Sequence, residues 1–188
     1  EVKARFILRA RVLAFLRAHL DGAGFLEVET PVLQPLYGGA SAEPFTTHHN
    51  ALDTDFYLRI SDELYLKRLL IGGMPKVYEF CRDFRNEGID ATHNPEFSQL
   101  EFYESFSDAE KQMKFVERLV CALAENVLGS RAITHDGKEI SLCGDFARIS
   151  YYETFARFAK MPEAETASTD ELLKVARGAG ADVGENEG

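Results

Sequence analysis

Lys76-Val77-Tyr78-Glu79-Phe80-Cys81-Arg82-Asp83-Phe84-Arg85 and Glu96-Phe97-Ser98-Gln99-Leu100-Glu101-Phe102-Tyr103-Glu104-Ser105-Phe106 decide the fold. The first stretch is rich in aromatic and β-branched residues, and the second alternates. Between them, Asn86 to Pro95 is polar and contains Gly88. The pattern predicts an antiparallel hairpin with a long loop. Period two puts Phe97, Gln99, Glu101 and Tyr103 on one face of the second strand, and Ser98, Leu100, Phe102 and Glu104 on the other. Leu100 and Phe102 point toward a core. If the strands pair, one surface carries Arg85, Glu87, Phe97, Glu101 and Tyr103. That surface fits a solvated sheet with cross-strand ion pairs. Taken alone it is read first that way, while its large rings, Phe97 and Tyr103, argue for a cleft for a planar, charged ligand.

Upstream, Phe6, Ile7, Val12, Leu13, Leu16 and Leu20 recur at helical spacing, predicting an amphipathic helix over Ala4 to His19, stopped by Asp21-Gly22-Ala23-Gly24. Phe25 to Thr30 alternates as a strand does, with Pro31 and Pro35 at its end. Leu36 to Asp55 reads as loop and short strand, and Phe56 to Ile60 as a strand. Ser61 is placed to cap a helix from Asp62 to Ile71, ended by Gly72-Gly73. Downstream, Ser107-Asp108-Ala109-Glu110 has the capping-box pattern. It opens a helix with Met113, Val116, Val120, Leu123 and Val127 on a core face, closed by Gly129. Asp136-Gly137 signals a second hairpin. Ser150-Tyr151-Tyr152-Glu153 and Ser168-Thr169-Asp170-Glu171 are further capping boxes, and the residues from Ala179 on are expected to fray. The change to short helices suggests a boundary near Asp145, dividing 1–145 from 146–188.

The 188 residues are 45% hydrophobic and 28% charged, which excludes collagen-like and wholly disordered chains. Lys and Arg total 21 against 31 Asp and Glu, a formal charge of −10, so general electrostatic DNA binding is not expected. No apolar run nears the roughly 20 residues that span a bilayer, and the first residues lack the apolar core of a secretory signal. Cys81, Cys121 and Cys143 are odd in number and far apart, which suits a reduced, cytoplasmic protein rather than a disulfide framework or zinc knuckle. Phosphate-loop, dinucleotide and nucleophile-elbow motifs are absent. His48-His49 has no carboxylate or cysteine at evident ligand spacing, so loop hydrogen bonding is preferred to metal binding.

Phe84-Arg85-Asn86-Glu87-Gly88, His93-Asn94-Pro95-Glu96-Phe97 and Leu100-Glu101-Phe102-Tyr103 together resemble motif 2 of class II aminoacyl-tRNA synthetases, in the lysyl form. Gly24-Phe25-Leu26-Glu27-Val28-Glu29-Thr30-Pro31 resembles motif 1. Gly38-Gly39-Ala40, Pro44-Phe45, Thr47-His48-His49-Asn50-Ala51-Leu52-Asp53 and Glu63-Leu64-Tyr65-Leu66-Lys67-Arg68-Leu69 also match that branch, so the likeness covers roughly residues 5 to 130. It implies an α/β (α+β) fold, a mostly antiparallel sheet flanked by helices. Residues 1–145 would be the N-terminal part of the catalytic domain and 146–188 the start of a helical insertion.

The activity implied is ATP-dependent formation of lysyl-adenylate and transfer of lysine to tRNA(Lys). Arg85 would be catalytic, bridging the α-phosphate and the lysine carboxylate. Glu87 would receive the adenine amino group and Phe97 would stack on the ring. His93 and Asn94 would contact ATP, with His93 reaching the outer phosphates. Gly39, Glu63, Arg85, Glu101 and Tyr103 would bind lysine, with Glu63 on the α-ammonium and Glu101 and Tyr103 on the side chain. Partners implied are lysine, ATP, tRNA(Lys) and a second copy through motif 1, with no membrane or DNA. ATP is the substrate, and the Mg2+ ligands of the family are expected outside this segment. Two positions depart from the pattern: Thr92 and Glu43 stand where arginines are usual. Neither motif 3 nor an OB domain is found, so the isolated chain is expected to catalyse little. The alternatives are the paralogous ligase that modifies elongation factor P, and a non-catalytic dimerising or ligand-binding fragment.

Overall fold

The computed structural model describes residues 1–181, in two compact units, 1–144 and 145 onward. In the first unit α1 (Val2–Gly22) is followed by β1 (Leu26–Glu27), β2 (Leu33–Gln34), β3 (Thr46–His49) and β4 (Thr54–Leu58). Then come α2 (Glu63–Ile71), β5 (Lys76–Phe84), β6 (Glu96–Glu104), α3 (Ala109–Leu123) and a π-turn (Ala124–Leu128) that continues α3. The unit ends with β7 (Ala132–His135) and β8 (Lys138–Ser141). Three small sheets have the orders β1-β5-β6, β2-β4-β3 and β7-β8. Every pairing is antiparallel except the parallel β1–β5 contact. This is the mixed α/β class expected.

The deciding hairpin forms in a single register, Lys76 opposite Glu104 through Phe84 opposite Glu96. The ladder continues one step, with Arg85 N donating to Pro95 O at 2.8 Å. Opposed residues share a face, so the hairpin has two unlike sides. One side is apolar. Tyr78, Phe80, Leu100 and Phe102 pack with Leu20 and Phe25, and Phe115 of α3 closes the cluster. The Phe25, Phe102 and Phe115 rings lie 5.4 to 5.6 Å apart. The other side carries Glu79, Cys81 and Asp83 against Glu101, Gln99 and Phe97.

Several details differ from the sequence reading. α1 is longer, and its first half is unburied: Phe6 is 70% and Ile7 51% exposed, whereas Leu20 is wholly buried. The predicted strand from Phe25 shrinks to two residues because only Leu26 and Glu27 align with β5. The cap before α3 is Asp108, whose side chain accepts from Lys111 N at 2.8 Å, and Ser107 instead receives Gln112 Nε2 at 2.7 Å. Leu119 of α3 is buried and Val116 is exposed, and Phe115, one turn before Leu119, packs against the Leu20, Phe25 and Tyr78 cluster. The π-turn then re-phases the chain so that Ala124 and Val127 bury, before Gly129 ends it at φ +71°.

Cys121 and Cys143 are joined in a disulfide. That corrects the expectation of reduced cysteines. Residues 22 apart in sequence meet because the β7–β8 hairpin returns the chain to α3. Its turn has Asp136 at φ +49° and Gly137 at φ +73°, the left-handed pair that a two-residue hairpin loop requires.

The second unit holds α4 (Tyr151–Ala159) and α5 (Thr169–Gly178), and both predicted capping boxes are complete. Tyr151, Tyr152, Phe155, Leu172 and Leu173 line an apolar groove of about 390 Å³. The fraying expected from Ala179 onward lies, past residue 181, outside the described residues.

Candidate active site

The polar side of the β5–β6 hairpin is assembled by three segments. β5 and β6 supply the floor, the turn into α2 (residues 59–63) supplies one wall, and the loop 86–95 supplies the open end.

At the open end, Arg85, Glu87, Gly88, Thr92, His93, Asn94 and Phe97 line a cavity of about 250 Å³. Every residue assigned to ATP from the resemblance is in it. The Arg85 guanidinium carbon sits 5.1 Å from the Phe97 ring centroid. Arg85 Nη2 reaches Ile60 O only at 3.5 Å, and its buried Nε has no partner among the described residues. A permanently charged fork so poorly engaged is suited to an anion. Glu87 is held in place by Glu43 N, which donates to its Oε1 at 3.3 Å, while Asn86 N donates to Glu43 O at 2.8 Å. Glu43 therefore borders this cavity through its backbone.

Asp90 folds the loop. It accepts from Thr92 Oγ1 at 2.9 Å and His93 N at 2.9 Å, and its Oδ2 lies 2.8 Å from His93 Nδ1. The Thr92 N–H bond and these side-chain contacts hold its carboxyl well below the usual range. With Asp90 ionised, Nδ1 carries the imidazole proton. The sequence reading passed over Asp90. Its signal was the Asp-x-Thr-His spacing of an Asx turn.

At the closed end, Glu101 is surrounded by donors. Tyr103 OH donates to Oε2 at 2.9 Å and Ser61 Oγ to Oε1 at 3.3 Å, and Gln99 Nε2 also donates to Oε1. Burial first, then the Glu101 hydrogen bond and the Glu101, Glu63 and Asp62 charges, pushes the Tyr103 hydroxyl well above the ordinary phenol range. Tyr103 therefore stays a donor. The predicted cap moves by one residue, to Asp62, and Ser61 Oγ instead accepts from Glu63 N at 3.1 Å. Glu63 is in this neighbourhood, but its carboxylate pairs with Lys67 Nζ at 2.6 Å. Gly39 has φ +89°, and a Cβ there would lie 2.8 Å from Glu63 Cβ and 2.9 Å from Ser61 Oγ. Only glycine allows that loop to close on the start of α2.

Behind this face lies Arg59, which the sequence reading also passed over. It is 3% exposed and donates to Glu79 Oε1 at 2.6 Å, Arg82 O at 2.9 Å and Thr30 O at 3.2 Å, with Asp83 at 3.5 Å. It ties the two larger sheets together, since Arg59 N donates to Val32 O and Phe84 N to Arg59 O, both at 2.9 Å. Buried acids demand such a partner. Away from the hairpin, His48 lies 3.4 Å from Asp53 and 3.3 Å from Asp55, carboxylates that the linear spacing did not reveal.

The chain matches the model of tRNA synthetases class II (D, K and N) over residues 1–179. The chain belongs to the class II tRNA synthetase family. It is 49% identical over 180 residues to a lysine-tRNA ligase of Pelotomaculum thermopropionicum, covering 96% of this chain and 36% of that protein. It is 54% identical over 149 residues to one of Carboxydothermus hydrogenoformans (79% and 30% of the two chains). It is 46% identical over 194 residues to one of Teredinibacter turnerae (100% and 39%). The chain thus spans about a third of the length of these relatives.

The cavity lining does not fit a magnesium ion. Its one carboxylate is Glu87, and the nearby Asp90 is consumed by the loop. Among the described residues, no helix is long and apolar enough to cross a membrane.

Proposed function

We propose that this segment carries the ATP and amino-acid pocket of an enzyme that activates lysine as lysyl-adenylate and passes it to tRNA(Lys). The observation that carries the reading is the Arg85 fork, half-buried over the Phe97 ring with its Nε unengaged. The lysine carboxylate attacks the α-phosphorus, and pyrophosphate leaves. A carboxylate is already ionised at neutral pH, so the step needs no general base. Arg85 holds the attacking carboxylate and the α-phosphate together and neutralises charge as it develops. Phe97 supplies the stacking face for adenine, Glu87 accepts from its amino group, and His93 and Asn94 contact ATP at the loop. Glu101, with Tyr103 beside it, receives the lysine ε-ammonium, and Glu63 and the Gly39 loop bound the α-amino end. ATP enters with whatever magnesium its own phosphates hold.

Exposed Phe6, Ile7 and Leu8 on α1, with exposed Leu26, Val32, Leu33 and Leu36, support a homodimer through the motif 1 side. A cytoplasmic location belongs to the same proposal. The test is lysine-dependent pyrophosphate exchange in the full-length protein that contains this segment. Arg85→Ala is expected to abolish it, and exchange at the wild-type rate in that variant overturns the assignment.

A further inference from the structure

Asp62 is an anomaly at the closed end. It stands at the N-cap of α2, where an aspartate normally accepts from the first turn, yet its side chain makes no capping bond. It is 0% exposed, and neither carboxyl oxygen has a donor within hydrogen-bond distance among the described residues. A buried carboxylate left this way is costly. Its neighbours offer no relief. Glu101 and Tyr103 face it from β6, and Cys81 and Asp83 from β5, with Glu79 farther along that strand. Glu63 follows it on α2. The Arg59 guanidinium is occupied by Glu79 and Asp83, and Arg85 lies against Phe97. The Asp62 and Glu101 carboxyls are thus left adjacent, with no cation of their own among the described residues.

We infer that Asp62 and Glu101 share one proton while the pocket is empty, and that the pair gives it up when the ε-ammonium of lysine settles on Glu101. This rests on the lysine reading above and adds the coupling. With the proton on Asp62, its hydroxyl donates to Glu101, and the absence of any other donor is explained. When the ammonium arrives, the O–H bond of Asp62 breaks, the proton passes to solvent, and the second carboxylate is balanced by the bound cation. Burial first, then the Glu101 charge and hydrogen bond, push the Asp62 carboxyl up to about 8, in keeping with a proton held at neutral pH. Asp62 is thus a positioning residue. It keeps Glu101 fixed without ligand and makes selection for a cation depend on pH.

The experiment is calorimetric titration of the full-length protein with L-lysine at pH 7, in buffers of different ionisation enthalpy, repeated from pH 6 to 7.5. The wild type is expected to release close to one proton and to bind about tenfold more tightly per pH unit. Asp62→Asn keeps an amide donor toward Glu101 but has no proton to lose, so release vanishes and the pH slope flattens. Circular dichroism checks that the variant folds. Wild-type heats that do not depend on the buffer overturn this inference and leave lysine recognition standing, whether or not the variant folds. Proton release that persists in folded Asp62→Asn overturns it as well. Absence of lysine binding at every pH overturns both this inference and the functional reading beneath it.

Discussion

The two ends of the β5–β6 face handle charge in opposite ways. At the open end a single guanidinium lies over a ring among exposed loop residues, and its carboxylate neighbour Glu87 is steadied by a backbone N–H. At the closed end carboxyls outnumber cations, Asp62 is buried and Glu101 half-buried, so side-chain donors take the place of solvent. Phe97 and Glu101 are four residues apart on one strand, about 14 Å at roughly 3.4 Å per residue. One surface therefore presents a cationic end and an anionic end, which the proposed function assigns to phosphate and to ammonium. Their separation along the strand keeps the opposite charges from pairing with each other.

The comparison breaks most sharply at Arg85. In the full-length protein, Arg85→Ala should lower lysine-dependent pyrophosphate exchange by about a thousandfold or more, and Arg85→Lys should recover little of it. Next comes Glu101→Gln. Removing one partner of a buried charge pair costs about 2–5 kcal/mol, so lysine should bind roughly a hundredfold more weakly in calorimetry. ATP binding should change by less than about threefold, and an equal loss of both ligands would mean that the two ends are not separate. Phe97→Ala should weaken ATP binding about tenfold, from a stacking contribution of about 1–3 kcal/mol per base, with lysine affinity little changed.

A smaller effect concerns stability. Asp62 has its carboxyl raised to about 8 and Asp83 to about 6, so each binds its proton more tightly folded than unfolded. The stability they contribute is complete below the ordinary aspartate range and is lost as pH rises through those values. Asp90 and Glu104 are shifted down, Glu104 to about 2, so their contribution is lost only in acid. Between pH 6.5 and 8, Asp62 therefore dominates among these groups. Denaturant melts should show the wild-type chain losing about 1 kcal/mol more than Asp62→Asn across that interval. The smallest change is at the open end. Thr92→Arg adds an exposed cation beside the cavity and should tighten ATP by no more than about fivefold, an effect that salt removes.

Much of this was readable in the linear chain. The alternation from Phe97 to Tyr103 correctly assigned two faces to β6, and Arg85, Glu87, His93, Asn94 and Phe97 line one cavity while Glu101 and Tyr103 lie outside it. Both capping boxes of the second unit and the Asp136-Gly137 turn form as written, since each depends on contacts within four residues. What was missed depends on contacts across the fold. Arg59 and Asp62 read as ordinary strand-end and first-turn residues, and only packing against β5 makes one a buried tie and the other a buried acid. The Cys121–Cys143 pairing was hidden for the same reason.

By itself, then, the sequence determined the two hairpins β5–β6 and β7–β8, which side of β6 is polar, and which family the chain resembles, because periodicity, turn chemistry and local capping act over a few residues, whereas the β1–β5, β2–β4 and β3–β4 pairings came only with the fold. Only the tertiary structure decided the charge balance at the closed end. Whether a carboxyl is ionised depends on how many donors and cations lie near it and how far water is excluded, and those are set by residues distant in the chain.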